Sequence, residues 1–361
     1  MDSEAEELLR KMTQAHGVPG YEGEVRDLFR TELAGAGEFR CDRTGSVFCE
    51  VGGEGPRVLV AGHMDEIGFR VQAITLGGFL KLVSVGGWWT HTLLAQRVVV
   101  KTAAGEKITG VVSSKPPHFL SEAERRQVMP LDQMFVDIGA ASRDEAVEWG
   151  VKLGDPIAPL GDFEVMKGGK RFLAKAFDNR VGMAATVLAG RRLVSGTRSN
   201  SLLLGATVQE EVGLRGAQTL AAVSKPDVAV ILEGPPADDT PGFDLDIAQG
   251  KLGGGVQIRM HDPSAIMNPE LSALAIRVAE EQGIAHQVTV RPSGGTDAGR
   301  IHLAGEGVPC IVLGVPARYI HSHGSIIETS DFDAAVELTE ALVRALDADT
   351  VAGLTNFLGE G

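Results

Sequence analysis

The run RVLVAG at residues 57–62 starts behind Pro56, ends at Gly62 and hands the chain straight to His63 and Asp65. After Arg57 it is apolar throughout rather than alternating, which is the pattern of a strand covered on both faces. Three more runs share the design. SLLLGATVQ (201–209) leads into Glu210 and Glu211, DVAVILE (227–233) closes on Glu233, and PCIVLGV (309–315) reaches His321 after a short loop. Helical patterns lie between them, at 179–194, at 216–223, and behind the Asn268-Pro269 cap and N1 pair up to Gly283. Strands alternating with helices predict an α/β layer with a mixed, mostly parallel sheet flanked by helices.

Working outward, the N-terminus opens with a helix: Ser3 and Glu6 have capping-box spacing, and Leu8, Leu9 and Met12 follow on one face. Val25, Leu28, Phe29 and Leu33 form a second helical stripe, and Ser330 is placed to cap a last helix through Leu346. Between residues 69 and 162 the texture changes. Short β-branched runs (FRVQAI, FLKLVSV, RVVVKT, KITGVVSS, MFVDIGA) are separated by glycine turns. This predicts a small β-barrel or sandwich inserted into the α/β layer, which then comprises 1–68 and 163–361.

Composition narrows the function. Forty-eight acidic residues against 34 basic ones give a net charge of −14, which repels nucleic acid and anionic membrane. Three widely spaced cysteines suggest neither a disulfide framework nor a thiolate zinc site. The acidic N-terminus is unlike a signal peptide and no apolar run approaches the roughly 20 residues of a membrane span, so a cytoplasmic protein is expected.

The chemistry sits at the strand ends. In open α/β sheets, ligands collect beyond the carboxyl ends of the strands. His63, Asp65, Glu210, Glu211, Glu233 and His321 follow predicted strands, and Asp178 opens a predicted helix. Singly, each has an ordinary reading: a satisfied histidine, a solvated Glu-Glu pair, a helix-cap aspartate. Their coincidence at one edge is what counts. Imidazoles and carboxylates without thiolates suit zinc, cobalt or manganese. Clustered carboxylates oppose one another's ionisation, a cost that divalent cations offset. Glu210 beside Glu211 supplies a base next to such a site.

At these residues the chain resembles the TET-type aminopeptidases, known also as glutamyl or leucyl aminopeptidases and, in some relatives, as endoglucanases. The resemblance runs from HGVPGYEGEVR to the last helix. It rests on AGHMDEIGF, SSKPPHFL, LDQMFVDIGA, AKAFDNRVG, QEEVGLRGA, GGTDAGRIHLAGEGVP and VPARYIHSH. It implies a zinc-exopeptidase-like fold and two divalent ions per subunit, zinc first, with cobalt and manganese as alternatives. Asp178 would bridge them, His63 and Glu233 would complete one site, and Glu211 and His321 the other. Glu210 would be general base and Asp65 the carboxylate orienting His63. A non-proline cis bond is implied at Asp178-Asn179. Many members carry Asp where Glu233 stands. Peptides would be the substrates, and the inserted domain would join copies into dimers and tetrahedral dodecamers. GGTDAG (294–299) is expected to shape the pocket, and His118 either reaches a neighbouring subunit's site or is structural. His16, His261, His286 and His302 are read as structural or surface. Three other functions fit parts of the pattern: a deacylase of small acylated amino acids, a glycoside hydrolase, and a non-catalytic scaffold.

Overall fold

The computed structural model describes residues 1–359. Its main sheet holds nine strands in the spatial order Glu38–Cys41, Val47–Gly52, Ser201–Thr207, Arg57–His63, Val228–Glu233, Cys310–Gly314, Val256–Asp262 and Ala265–Ile266, with His286–Val290 pairing Val256–Asp262. The four central strands, from Ser201–Thr207 to Cys310–Gly314, are parallel; Val47–Gly52 and Val256–Asp262 join them antiparallel, and His286–Val290 runs parallel to Val256–Asp262. Every residue of Ser201–Thr207, Val228–Glu233 and Cys310–Gly314 is buried, as uninterrupted apolar runs require. Each buried Val, Leu or Ile there contributes about 1.5–3 kcal/mol.

Helix Phe177–Val194 lies on this sheet and packs against helices Ser3–Gln14 and Thr329–Ala345, the latter also resting on strands Val256–Asp262 and Cys310–Gly314. Gly182 permits the close approach: a Cβ there would fall 2.5 Å from the Leu232 carbonyl oxygen and 2.2 Å from Asn179 Oδ1. The bond Asp178-Asn179 is cis.

The β-rich segment forms a closed barrel of Gly68–Ile74, Leu80–Val85, Phe135–Asp137, Lys107–Ser113, Arg97–Lys101 and Pro156–Pro159, not a sandwich. Its core, including Phe69, Leu80, Val98, Val112 and Val136, is an apolar cluster separate from that of the main sheet. A small sheet of Glu164–Val165, Arg171–Ala174, Ser325–Glu328 and Ala317–Arg318 lies beyond the barrel in sequence.

Some helix ends differ from expectation. The first helix is capped by Asp2, whose Oδ1 accepts the Ala5 N–H at 2.8 Å, so the Ser3/Glu6 box is displaced by a carboxylate one residue earlier. Helix Thr329–Ala345 starts ahead of Ser330 without a side-chain cap, directly after strand Ser325–Glu328, and a further helix, Ala348–Gly353, is capped by Asp347. Among the described residues no helix is long and apolar enough to cross a membrane.

Candidate metal centre and substrate cleft

His63 and Glu233 are the last residues of two parallel strands, so the strand direction alone carries both to one edge. Glu210 and Glu211 stand just past Thr207 at the same edge, Asp178 lies in the first turn of its helix, and His321 arrives on the loop before Ser325–Glu328. These six side chains meet. His63 Nε2 lies 3.2 Å from Asp178 Oδ1, 3.3 Å from Glu233 Oε1 and 3.8 Å from Glu210 Oε2. His321 Nε2 lies 3.3 Å from both Asp178 Oδ2 and Glu211 Oε2. Asp178 therefore offers one oxygen to each imidazole. Each ring is held from behind, His63 Nδ1 at 3.0 Å from the Asp65 carbonyl oxygen and His321 Nδ1 at 2.8 Å from that of Gly87.

Asp65 differs in detail from the expectation. Its carboxylate is 3.6 Å from His63 Nδ1, beyond a good hydrogen bond, and its carbonyl serves the ring instead. The carboxylate, wholly buried, accepts the backbone N–H of Glu210 on Oδ1 and of Glu211 on Oδ2, each at 3.0 Å. It thus fixes the turn that aims both glutamates. Non-glycine residues with left-handed φ gather here: Ala176 (57°), Gln209 (57°), Leu214 (58°) and His321 (56°). Such conformations cost about 1 kcal/mol or more each and persist where surrounding structure enforces them.

Electrostatics show what the cluster requires. Burial, with Asp178 nearby, pushes the Glu211 carboxyl up to about 7. Burial also raises Glu210 well above the carboxylate range, and raises Glu233. Burial should lower the imidazoles, yet Glu210 and Glu233 override it at His63, and Asp178 and Glu211 push His321 up to about 11. Four carboxylates packed this closely demand positive charge. Glu211 Oε1 and Glu233 Oε2 are buried and meet no donor in the described chain. Two tight donor sets result, His63/Glu210/Glu233 and Asp178/Glu211/His321, each with ligand atoms within 4.8 Å of one another. Nitrogen and carboxylate oxygen without sulfur fit zinc-like divalent ions.

The cluster lines one wall of a cleft of about 1350 Å³. Ser293, Gly294 and Gly295 form part of it, while Asp297 of the same motif turns inward to accept the Thr207 hydroxyl. The cleft is also lined by residues that sequence reasoning passed over: Arg259, Arg291 and the loop carrying Phe243 and Ile247. His261 also lines the cleft, against its reading as structural or surface. The available signal was the alternation in VQIRMHD, which sets Gln257, Arg259 and His261 on one face of a strand and the apolar Val256, Ile258 and Met260 on the other. His118 lies in a turn of the inserted segment, Pro117–Phe119, and is exposed.

The profile of the M42 glutamyl aminopeptidase family matches residues 45–338. The lysyl aminopeptidase of Pyrococcus furiosus is 35% identical over 94% of this chain and 97% of its own. A TET aminopeptidase from the marine sediment archaeon Thaumarchaeota archaeon SCGC AB-539-E09 superposes with a TM-score of 0.95 at 42% identity, covering 98% of this chain and 100% of that one. The TET1 peptidase of Pyrococcus horikoshii, described as assembling into a tetrahedron or a large octahedral shell, gives 0.84 at 33% identity over 95% and 100%. Family match and fold, together with a buried nitrogen–carboxylate cluster at the strand ends, make this chain a member of the M42 glutamyl aminopeptidase family, a metal-dependent hydrolase of peptide bonds.

Proposed function

We propose that this cleft removes single residues from free peptide N-termini using two divalent cations. His63 and Glu233 would hold one, Glu211 and His321 the other, with Asp178 between them. The observation that carries this reading is the Asp178 carboxylate, whose two oxygens face the two imidazoles at 3.2 and 3.3 Å. Zinc, cobalt and manganese all suit the donor set, zinc first. When bound, such a pair lowers the pKa of a water and polarises the peptide carbonyl.

The chain's own residues do the rest. Glu210 lies at the cluster, 11% exposed, and burial raises its carboxyl, which strengthens the carboxylate as a proton acceptor. It accepts the proton of the attacking water and delivers it to the leaving amine. Asp65 holds the Glu210 and Glu211 backbones during that exchange. The substrate's free amine rests against the carboxylates, restricting cleavage to chain ends. In Glu210→Gln, hydrolysis of aminoacyl p-nitroanilides should fall about 10²–10⁴-fold with metal content near wild type. Near-normal turnover would remove Glu210 from this role.

Residues 1–68 and 163–361 form the catalytic part in this reading, and 69–162 the surface joining copies. Trp89 and Phe119, 66% and 71% exposed in that segment, support this, as does the assembly described for the P. horikoshii relative. A dimer is the building block and a tetrahedral dodecamer the closed particle. Three unpaired cysteines support work in the reducing cytoplasm. The family is described by glutamyl residues and the P. furiosus relative by lysyl ones, which require opposite pocket charge, so the cleft wall must decide the preferred first residue.

A further inference from the structure

The turn that carries Glu210 and Glu211 presents three successive backbone N–H groups to two buried carboxylates. Asp65 takes those of Glu210 and Glu211. The one before them, from Gln209, donates to Glu22 Oε1 at 3.2 Å, and the Gly20 N–H donates to the same oxygen at 2.7 Å. Gln209 has a left-handed φ of 57°. Strand Ser201–Thr207 ends two residues earlier, so the sheet ladder does not hold this peptide. Glu22 is buried, and its hydrogen bonds are to backbone N–H groups rather than to a cation. A carboxyl buried beside another carboxylate is costly, and burial with Asp65 nearby pushes Glu22 up to about 7. An apolar side chain would fill the same space more cheaply. What the carboxyl adds is an acceptor for the turn.

The chain around Glu22 is pinned without that acceptor. Glu22 ends a strap, residues 15–22, between helices Ser3–Gln14 and Gly23–Glu32. The Gly17 carbonyl accepts the Glu66 N–H at 2.9 Å and Arg180 Nη2 at 3.3 Å. Arg180 Nη1 donates to the Met12 and Ala15 carbonyls at 2.7 and 2.9 Å. From the barrel, Arg70 Nη2 donates to the Pro19 carbonyl at 2.9 Å, and Lys101 and Lys107 pair with Glu24 at 2.7 and 2.9 Å. Glu22 therefore reaches the turn from a fixed base.

Gln209 directly precedes Glu210, so any change in its soft dihedrals swings both glutamates about the end of the strand. A misplacement of about 1 Å at reacting groups costs about a hundredfold in rate. Resting on the aminopeptidase reading above, we propose that Glu22 is a positioning residue for the reaction: its Oε1 holds the Gln209 peptide and so sets the direction in which Glu210 and Glu211 enter the metal cluster. Both N–H groups converge on one oxygen, so the reach of that oxygen matters and the charge does not.

The test compares Glu22→Met, Glu22→Gln, Glu22→Asp and Glu24→Gln. The first removes the acceptor, the second keeps the oxygen without charge, and the third keeps the charge but withdraws the oxygen by one methylene. Glu24→Gln weakens the tie to the barrel without touching the turn. At saturating metal and well below each unfolding midpoint, kcat for an aminoacyl p-nitroanilide should fall about 10–100-fold in Glu22→Met, with KM little changed. Glu22→Asp should be slowed in the same way, which keeps the test open if the Met variant does not fold. Glu22→Gln should retain most of the wild-type kcat, and Glu24→Gln should lose stability alone. Amide hydrogen exchange over residues 209–211 of the metal-loaded protein should quicken about 10–100-fold in Glu22→Met, the equivalent of one charge-assisted bond, and stay unchanged in Glu24→Gln. Exchange reads the hold on the turn without turnover, so its failure is distinguishable from failure of the aminopeptidase reading. Wild-type kcat in Glu22→Met or Glu22→Asp, a Glu22→Gln variant as slow as either, an equal loss in Glu24→Gln, or unchanged exchange would overturn the proposal.

Discussion

Replacing Asp65 with Asn isolates the support beneath the catalytic turn. The carboxylate is fully buried and accepts two N–H groups, from Glu210 and Glu211, each at 3.0 Å. Asparagine keeps the shape but has one acceptor oxygen, and its amide would face the second N–H donor to donor. A lost charge-assisted bond costs about 1.5–3 kcal/mol and a stranded buried donor about 1–3 kcal/mol. Removing one negative charge from beside Glu22 and Asp297, whose carboxyls it helps to raise, returns part of this. The net expectation is a destabilisation of about 2–4 kcal/mol, read by urea unfolding. Groups that orient metal-site residues change activity about 10–100-fold when altered. Thus kcat for a chromogenic aminoacyl substrate, at saturating metal and well below the unfolding midpoint, should fall by that factor with KM little changed. Wild-type kcat in a folded, metal-loaded Asp65→Asn protein would refute the reasoning: the turn would then hold its glutamates without this carboxylate.

Two other outcomes follow from the same physics. Chelation should lower the thermal midpoint, and zinc, cobalt or manganese should restore it, by about 2.7 kcal/mol of stability at a hundredfold excess over Kd; an unchanged midpoint would argue against a metal-filled cluster. His16 is buried and its two ring nitrogens have no partner, so burial depresses its pKa to about 4 from 6.5. The folded state then binds fewer protons than the unfolded state between those values, and His16 removes about 2–3 kcal/mol of stability as pH falls from 6.5 to 4. Urea titrations of His16→Asn against wild type should show that slope missing from the variant, and parallel slopes would contradict it.

Much of the architecture was legible because it depends on local pattern. Continuous apolar runs marked Ser201–Thr207, Val228–Glu233 and Cys310–Gly314 as doubly covered strands, and Asn268-Pro269 and Gly283 bounded a helix whose Asn268 side chain does accept the Leu271 N–H. Short alternating runs announced a β unit, though not whether it closes. Closure depends on Pro156–Pro159 pairing with both Gly68–Ile74 and Arg97–Lys101, a long-range contact with no local signature. Helix caps were less secure, since Asp2 and Ser3 are both competent caps and only the folded backbone chooses between them.

The sequence by itself determined the parallel-sheet fold and the residue types at its carboxyl edge, because period and strand direction are local properties that hold wherever the strands pack. Tertiary structure alone decided what those residues touch. It gave each imidazole one oxygen of Asp178, turned the Asp65 carboxylate from His63 to the Glu210–Glu211 backbone, and brought Arg259 and Arg291 onto the cleft. The physical reason is range. Side-chain partnerships span 115 residues between His63 and Asp178 and 145 between Asp65 and Glu210, and they are set by ångström-scale packing that no residue pattern encodes.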